Sequence, residues 1–256
     1  MNWSAPLYKF YERRLVRGLP TERLPGHVGV ILDGHRRFAR QESHIDYTGS
    51  YRQGMAKLEE FLGWCAQLQV PAVTAWVLST DNLRRPPEEL EPYFAVLCEL
   101  LAGLPALASR LDFSLQVIGS IDLLPATLAT AAKEAERDSQ RGGWQFNLAL
   151  GYGGRQEIVD ACRSLVDELL STGTATEHLA ERIDTVGLSQ HLYASDLPDP
   201  DLVIRTSGEA RLSGFLLWQA AYSELVFVDP YWPAFRRVDF LRALRDYAQR
   251  TRRFGQ

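Results

Sequence analysis

Six short runs that are apolar almost without a break alternate along this chain with longer segments at helical period: Val28–Leu32, Ala72–Leu78, Leu115–Ile118, Phe146–Leu150, Leu202–Ile204 and Leu225–Phe227. A strand with one wet face alternates apolar and polar residues. A continuously apolar strand is covered on both faces, as in a parallel sheet sandwiched by helices. The intervening segments supply such helices: Met55, Leu58, Leu62 and Cys65 mark one apolar stripe, and Leu90, Tyr93, Phe94, Leu97, Leu100 and Leu101 another. The pattern predicts an α/β fold, a single domain over 1–256 with a mainly parallel six-stranded sheet flanked by helices and a helical N-terminal extension over 1–25.

In such sheets ligands bind beyond the carboxyl ends of the strands. The first strand runs into Asp33-Gly34-His35-Arg36-Arg37, the second into Ser79-Thr80-Asp81-Asn82-Leu83-Arg84-Arg85, the fourth into Gly151-Tyr152-Gly153-Gly154-Arg155 and the fifth into "RTSGEARLS", Arg205 to Ser213. Guanidinium forks, small hydroxyls and glycine-exposed backbone N–H groups together suit phosphate oxygens, and the rim is expected to hold more than one phosphate group. Asp33 reads either as a helix cap or as a carboxylate that tolerates phosphates through a divalent cation such as Mg²⁺. His35 reads as an exposed helix residue or as a catalytic group. The "YGGR" segment reads as a glycine turn or a weak phosphate cradle, and Glu209 as orienting an arginine.

Composition narrows the class. A net charge of −4 and no basic-aromatic stripe argue against nucleic acid. Three scattered cysteines, Cys65, Cys98 and Cys162, suggest buried thiols rather than a disulfide framework or zinc site. No signal peptide and no membrane-spanning run are expected, which points to a cytoplasmic protein with at most peripheral membrane contact.

The motifs "HVGVILDGHRRFAR", "LSTDNLRRP", "GYGGRQEI", "DLVIRTSGEARLSGFLLWQAAYSELVF" and "RRFG", in that order from His27 to Gly255, resemble the cis-prenyltransferase family, relatives of undecaprenyl diphosphate synthase. The resemblance implies a Mg²⁺-dependent homodimer that joins isopentenyl diphosphate to an allylic diphosphate. It places Mg²⁺ on Asp33, the allylic diphosphate on Gly34, Arg36 and Arg37, and the isopentenyl diphosphate on Arg205, Arg211 and Ser213. Glu224 would be a further metal-side acid, Asn82 and Arg85 would lie near the reacting ends, and Arg253 to Gly255 would reach across the dimer. Phe38 and Ser79 complete the implied substrate-binding set, with His35 beside Asp33 and Asn82 as catalytic.

The chain departs from the family pattern at His35 (usually Asn), Phe38 (usually Trp), Tyr51 (usually His) and Asp46-Tyr47 (often Arg nearby). These positions bear on proton removal and on the allylic site. Val77, where long-chain members tend to carry alanine, and Trp144, bulkier than their leucine, are expected to stop chain growth early and give (2Z,6E)-farnesyl diphosphate. A longer-chain synthase, a head-to-middle condensing enzyme and an inactive partner subunit are the alternatives.

Overall fold

The computed structural model describes residues 4–139 and 142–250. Six strands, β1 (His27–Ile31), β2 (Ala72–Ser79), β3 (Phe113–Ile118), β4 (Trp144–Tyr152), β5 (Leu202–Arg205) and β6 (Glu224–Phe227), form one sheet in the order β3-β4-β2-β1-β5-β6. Every pairing is parallel. All six expected strands are present, and the sheet is wholly rather than mainly parallel.

Side chains alternate between two apolar layers, as a period of two requires. Val28, Val30 and Leu32, with Val73, Ala75 and Val77, join the larger cluster, under α3 (Tyr47–Gln67), α4 (Pro87–Leu111), α5 (Ala126–Arg137) and α9 (Arg237–Gln249). Ile31, Trp76 and Val203 face Phe215 and Tyr152 on the other side, where α6 (Gly154–Ser171) lies. The stripe Met55, Leu58, Leu62 and Cys65 is buried as expected. The N-terminal helix α1 (Ser4–Gly18) docks on α9: Leu15 and Leu19 enter the core, and Tyr11 receives a hydrogen bond from Arg242. Two short helices, α7 (Leu179–Arg182) and α8 (Thr185–Gln190), lead into β5, and α2 (His35–Gln41) follows β1.

Helix α4 bears on the expectation of no membrane-spanning run, and the cysteine expectation needs correction. Helix α4 is by length and composition able to cross a membrane; here it packs on α3, α5 and β3, with its leucine stripe in the core. Of the cysteines only Cys65 is fully buried; all three are free thiols.

The strand order fixes where a ligand can sit. From β1 the chain moves outward to β2 and on to the edge strand β3, steps back to β4 between them, then crosses to the far side of β1 as β5. Connections therefore leave β1 and β5 in opposite directions, and a crevice opens between their carboxyl ends. In register, Arg205 lies opposite Ile31, two residues before Asp33.

Candidate active site

A cleft of about 580 Å³ opens at that switch point, within the size range of small-molecule sites. Its lining includes six arginines (36, 37, 40, 85, 205 and 211) against three acids (33, 81 and 209), a local excess of positive charge in an acidic protein.

Asp33 is the centre of the array. Thr206 pins its backbone: the Thr206 hydroxyl accepts from the Asp33 N–H at 3.0 Å and donates to the Asp33 carbonyl at 2.8 Å. Its carboxylate takes Arg205 Nη2 on Oδ2 at 2.7 Å and Arg37 Nη2 on Oδ1 at 3.3 Å. Burial works against ionisation of this carboxyl. The hydrogen bond and charge of Arg205, with Ser207 and Arg37, outweigh it and hold the group below the usual carboxylate range. Gly34 then turns the chain at φ 107°, where a Cβ would stand 2.6 Å from the Tyr231 ring. Only glycine accepts both constraints.

The arginines are held in place. Arg37 also reaches Glu209 Oε1 and Ser207 Oγ, each at 2.7 Å. Glu209 binds Arg211 through its other oxygen, so it does orient arginines, and two of them at once. Arg205, 5% exposed, donates from Nη1 to Ser213 Oγ at 2.7 Å and to the Arg211 carbonyl. Ser207 and Ser213 sit at φ 79° and 52°, left-handed conformations that cost a residue with a Cβ roughly 1–2 kcal/mol each. On the opposite wall Ser79 Oγ accepts the Asn82 N–H at 3.0 Å, and Asn82 Oδ1 accepts from Arg85 at 2.6 Å. Arg36 is tied to Glu89 of α4 at 2.7 Å.

Several expectations are not met in this way. His35 lines the cleft, but its ring is buried and Nε2, without a hydrogen-bond partner, packs against Gly54 of α3. Burial lowers its pKa to about 4, so the ring is neutral. Phe38 lies outside the cleft because α2 turns residues 35, 38 and 39 inward, and Phe38 goes into the core. Trp144 begins β4, at the end of the sheet away from the rim, and donates its indole N–H to Leu111 at 2.8 Å. Glu224 likewise begins β6 and pairs with Arg250, outside the cleft of this chain. Arg253 and Gly255 lie outside the described residues. The "YGGR" turn is no cradle: Gly154 packs on the arginine loop, its N–H donating to the Gly214 carbonyl at 2.9 Å, where a Cβ would stand 2.6 Å from the same oxygen. Arg40, Trp76, Asp81 and Tyr93 also line the cleft; in sequence Tyr93 stands only as part of an apolar helical stripe.

Among the described residues no group of three or more His, Cys, Asp or Glu side chains gathers around one point. An all-protein metal cage is therefore absent there. A single carboxylate beside a phosphate-binding rim is instead the donor set of a magnesium ion shared between protein and substrate phosphates, and Asp33 fits it.

A parallel sheet with a guanidinium-lined crevice and one central carboxylate at its switch point defines an α/β protein built to hold clustered phosphates. The family described as putative undecaprenyl diphosphate synthase matches residues 31–255, and the chain belongs to it. A (2Z,6E)-farnesyl diphosphate synthase of Thermobifida fusca is 52% identical over 251 residues, 98% of this chain and 97% of that protein. A short-chain Z-isoprenyl diphosphate synthase of Mycobacterium leprae is 46% identical over 256 residues, covering 99% and 97%. Among solved structures, lavandulyl diphosphate synthase from Lavandula x intermedia, in complex with dimethylallyl diphosphate, superposes with a TM-score of 0.85 at 32% identity, over 92% of this chain and all of that one.

Proposed function

We propose that this chain condenses isopentenyl diphosphate with a short allylic diphosphate, geranyl diphosphate best of all, to give (2Z,6E)-farnesyl diphosphate. The observation that carries the reading is the position of Asp33 between two guanidinium groups at the switch point. The activities named for the close relatives support it.

The Gly34 turn with Arg36 and Arg37 takes the allylic diphosphate, and Arg205, Arg211 and Ser213 take the isopentenyl diphosphate. Asp33 would hold Mg²⁺, which would supply charge neutralisation to the leaving diphosphate. As the allylic C1–O bond breaks and its electron pair leaves with the diphosphate, C4 of the isopentenyl double bond attacks C1; the new C–C bond forms and the proton lost from isopentenyl C2 passes to the departed diphosphate, setting the cis double bond. The arginines, already placed in the free protein, hold their positions: Arg36, Arg37 and Arg211 exchange Glu89 and Glu209 for phosphate while Arg205 keeps Asp33 in place, so little reorganisation opposes charge development. Asn82 and Arg85 stand near the reacting ends. His35, neutral and sealed, is a positioning residue that wedges α2 against α3. The protein is proposed to act as a cytoplasmic homodimer. Phe227 on the edge strand β6, 39% exposed, and Tyr222 before it, 76% exposed, suit a covered face.

Head-to-middle condensation is the second reading, favoured by the likeness to the lavandulyl enzyme. Product analysis with radiolabelled isopentenyl or dimethylallyl diphosphate tests both: isopentenyl label entering a linear product in the presence of geranyl diphosphate is expected, whereas a branched product formed from dimethylallyl diphosphate alone, with no isopentenyl label in it, favours the alternative.

A further inference from the structure

Glu209 joins the two sets of arginines that line the rim. Its Oε1 accepts from Arg37 Nη1 at 2.7 Å, and its Oε2 accepts from Arg211 Nη1. One carboxylate therefore occupies one guanidinium of each set at once. The loop beneath it is fixed: the Ser207 N–H donates to the Pro230 carbonyl at 2.8 Å and the Gly208 N–H to the Val228 carbonyl at 2.9 Å. Both arginines have other support. Arg37 also donates to Ser207 at 2.7 Å and to Asp33 at 3.3 Å, and Arg205 holds the backbone carbonyl of Arg211. The Glu209 side chain is 27% exposed, so it has a way out to solvent that leaves the loop where it is.

We propose that Glu209 couples the two diphosphate sites, its carboxylate occupying both until one substrate arrives. The proposal rests on the prenyl diphosphate reading above, in which Arg37 takes the allylic diphosphate and Arg211 the isopentenyl one. A diphosphate on either arginine sets several negative charges beside the carboxylate and favours the rotamer that leaves. Because the same carboxylate serves both arginines, its departure frees both. The first diphosphate carries the whole cost of displacing it, and the second meets a guanidinium already vacant. Each substrate therefore tightens the binding of the other, by the same factor in either order, as linkage requires. The two diphosphates also repel one another, so the part due to Glu209 is the difference between the chain with this carboxylate and the chain without it. Two partly exposed ion pairs set the scale of that difference at about threefold to tenfold.

The test reads binding and needs no turnover. Calorimetry on the full chain, in buffer containing Mg²⁺, gives the Kd of isopentenyl diphosphate alone and with saturating geranyl thiolodiphosphate, an allylic analogue whose C–S bond resists cleavage. Wild type, Glu209→Ala and Glu209→Gln are compared, each checked by circular dichroism. The analogue should tighten isopentenyl diphosphate binding in wild type by a factor about threefold to tenfold larger than in Glu209→Ala. The difference should arise in the first binding step: Glu209→Ala should bind either ligand alone more tightly than wild type does, with the second step unchanged. Glu209→Gln, which keeps the shape and loses the charge, should follow the alanine, and decides the matter should the alanine not fold. Equal coupling factors in wild type and variant would overturn the proposal. So would weaker binding of each ligand alone by the variant, which would leave Glu209 only as a residue that orients arginines. A wild type that binds neither ligand would instead overturn the prenyl diphosphate reading.

Discussion

Arg205 holds Asp33: guanidinium Nη2 donates to carboxylate Oδ2 at 2.7 Å across the boundary between β5 and β1. Arg205 is 5% exposed and also carries Ser213 and the Arg211 carbonyl, so one buried cation organises both halves of the rim. The two arginines should therefore respond differently to removal. Arg211→Ala should raise the KM for isopentenyl diphosphate by about tenfold to 150-fold, the loss of a charge-assisted contact of about 1.5–3 kcal/mol, with a smaller effect on the allylic KM. Arg205→Ala should do the same and lower kcat as well, because Asp33 loses its holder. Steady-state kinetics with each substrate varied in turn checks both; equal shifts in the two KM values for Arg211→Ala would mean the diphosphate sites are shared, and a larger allylic shift that they are exchanged.

Gly154 and Gly214 hold the arginine loop on the sheet. Gly154→Ala places a methyl 2.6 Å from a backbone oxygen that has no soft way to retreat. The substitution should cost about 1–3 kcal/mol of stability and displace the loop bearing Arg211 and Ser213. Urea denaturation reads the first effect. A KM rise for isopentenyl diphosphate larger than for the allylic partner reads the second.

His27 gives a pH dependence remote from the cleft. Buried at the start of β1, it lies between the Pro198 carbonyl at 2.7 Å on Nδ1 and the Thr74 hydroxyl at 2.8 Å on Nε2. That arrangement suits a neutral ring donating from Nδ1 and accepting at Nε2. Burial lowers its pKa below the ordinary 6.5, despite the Pro198 bond and the nearby Asp201. Below 6.5 the unfolded chain binds a proton that the folded one resists, so this contribution to stability is present above that pH and is lost as pH falls. Relative to His27→Gln, the wild type should lose stability as pH falls below the ordinary histidine value of 6.5. Parallel curves for the two proteins would show that His27 titrates alike folded and unfolded.

Trp144 is a packing residue. Its ring lies 5.1 Å from Phe113 and its N–H is bound to Leu111. Trp144→Ala should cost about 2–4 kcal/mol and leave product length unchanged, as chromatography of dephosphorylated products would show.

Much of this architecture is legible in the sequence because it rests on local pattern. Continuous apolar runs gave six strands, each within a few residues of its place, and the chemistry following β1, β2 and β5 marked three walls of the cleft. What pattern does not carry is direction. Phe38 stands one residue from Arg37, yet the turn of α2 sends one to the core and the other to the rim. Trp144 and Glu224 flank strands as promising as any, but at the ends where parallel strands begin, away from the rim. Tyr93 belongs to an apolar stripe and is core by every local criterion; only the junction of α3, α4 and β2 makes it a cleft residue as well. The cradle suggested by "YGGR" failed for a related reason, since close backbone approach needs glycine whether the neighbour is a phosphate or another loop.

The most direct measurement of the central claim is product analysis of wild type and Asp33→Ala, each incubated with isopentenyl and geranyl diphosphates, with Mg²⁺ and with excess EDTA. Products are dephosphorylated and separated against farnesol isomers. The wild type with Mg²⁺ should yield (2Z,6E)-farnesol as its main product; EDTA should abolish it, and Asp33→Ala, folded by circular dichroism, should fall at least about 1000-fold, about 4 kcal/mol of barrier. Undiminished turnover by Asp33→Ala, or a wild type that leaves both diphosphates unjoined, would contradict the account.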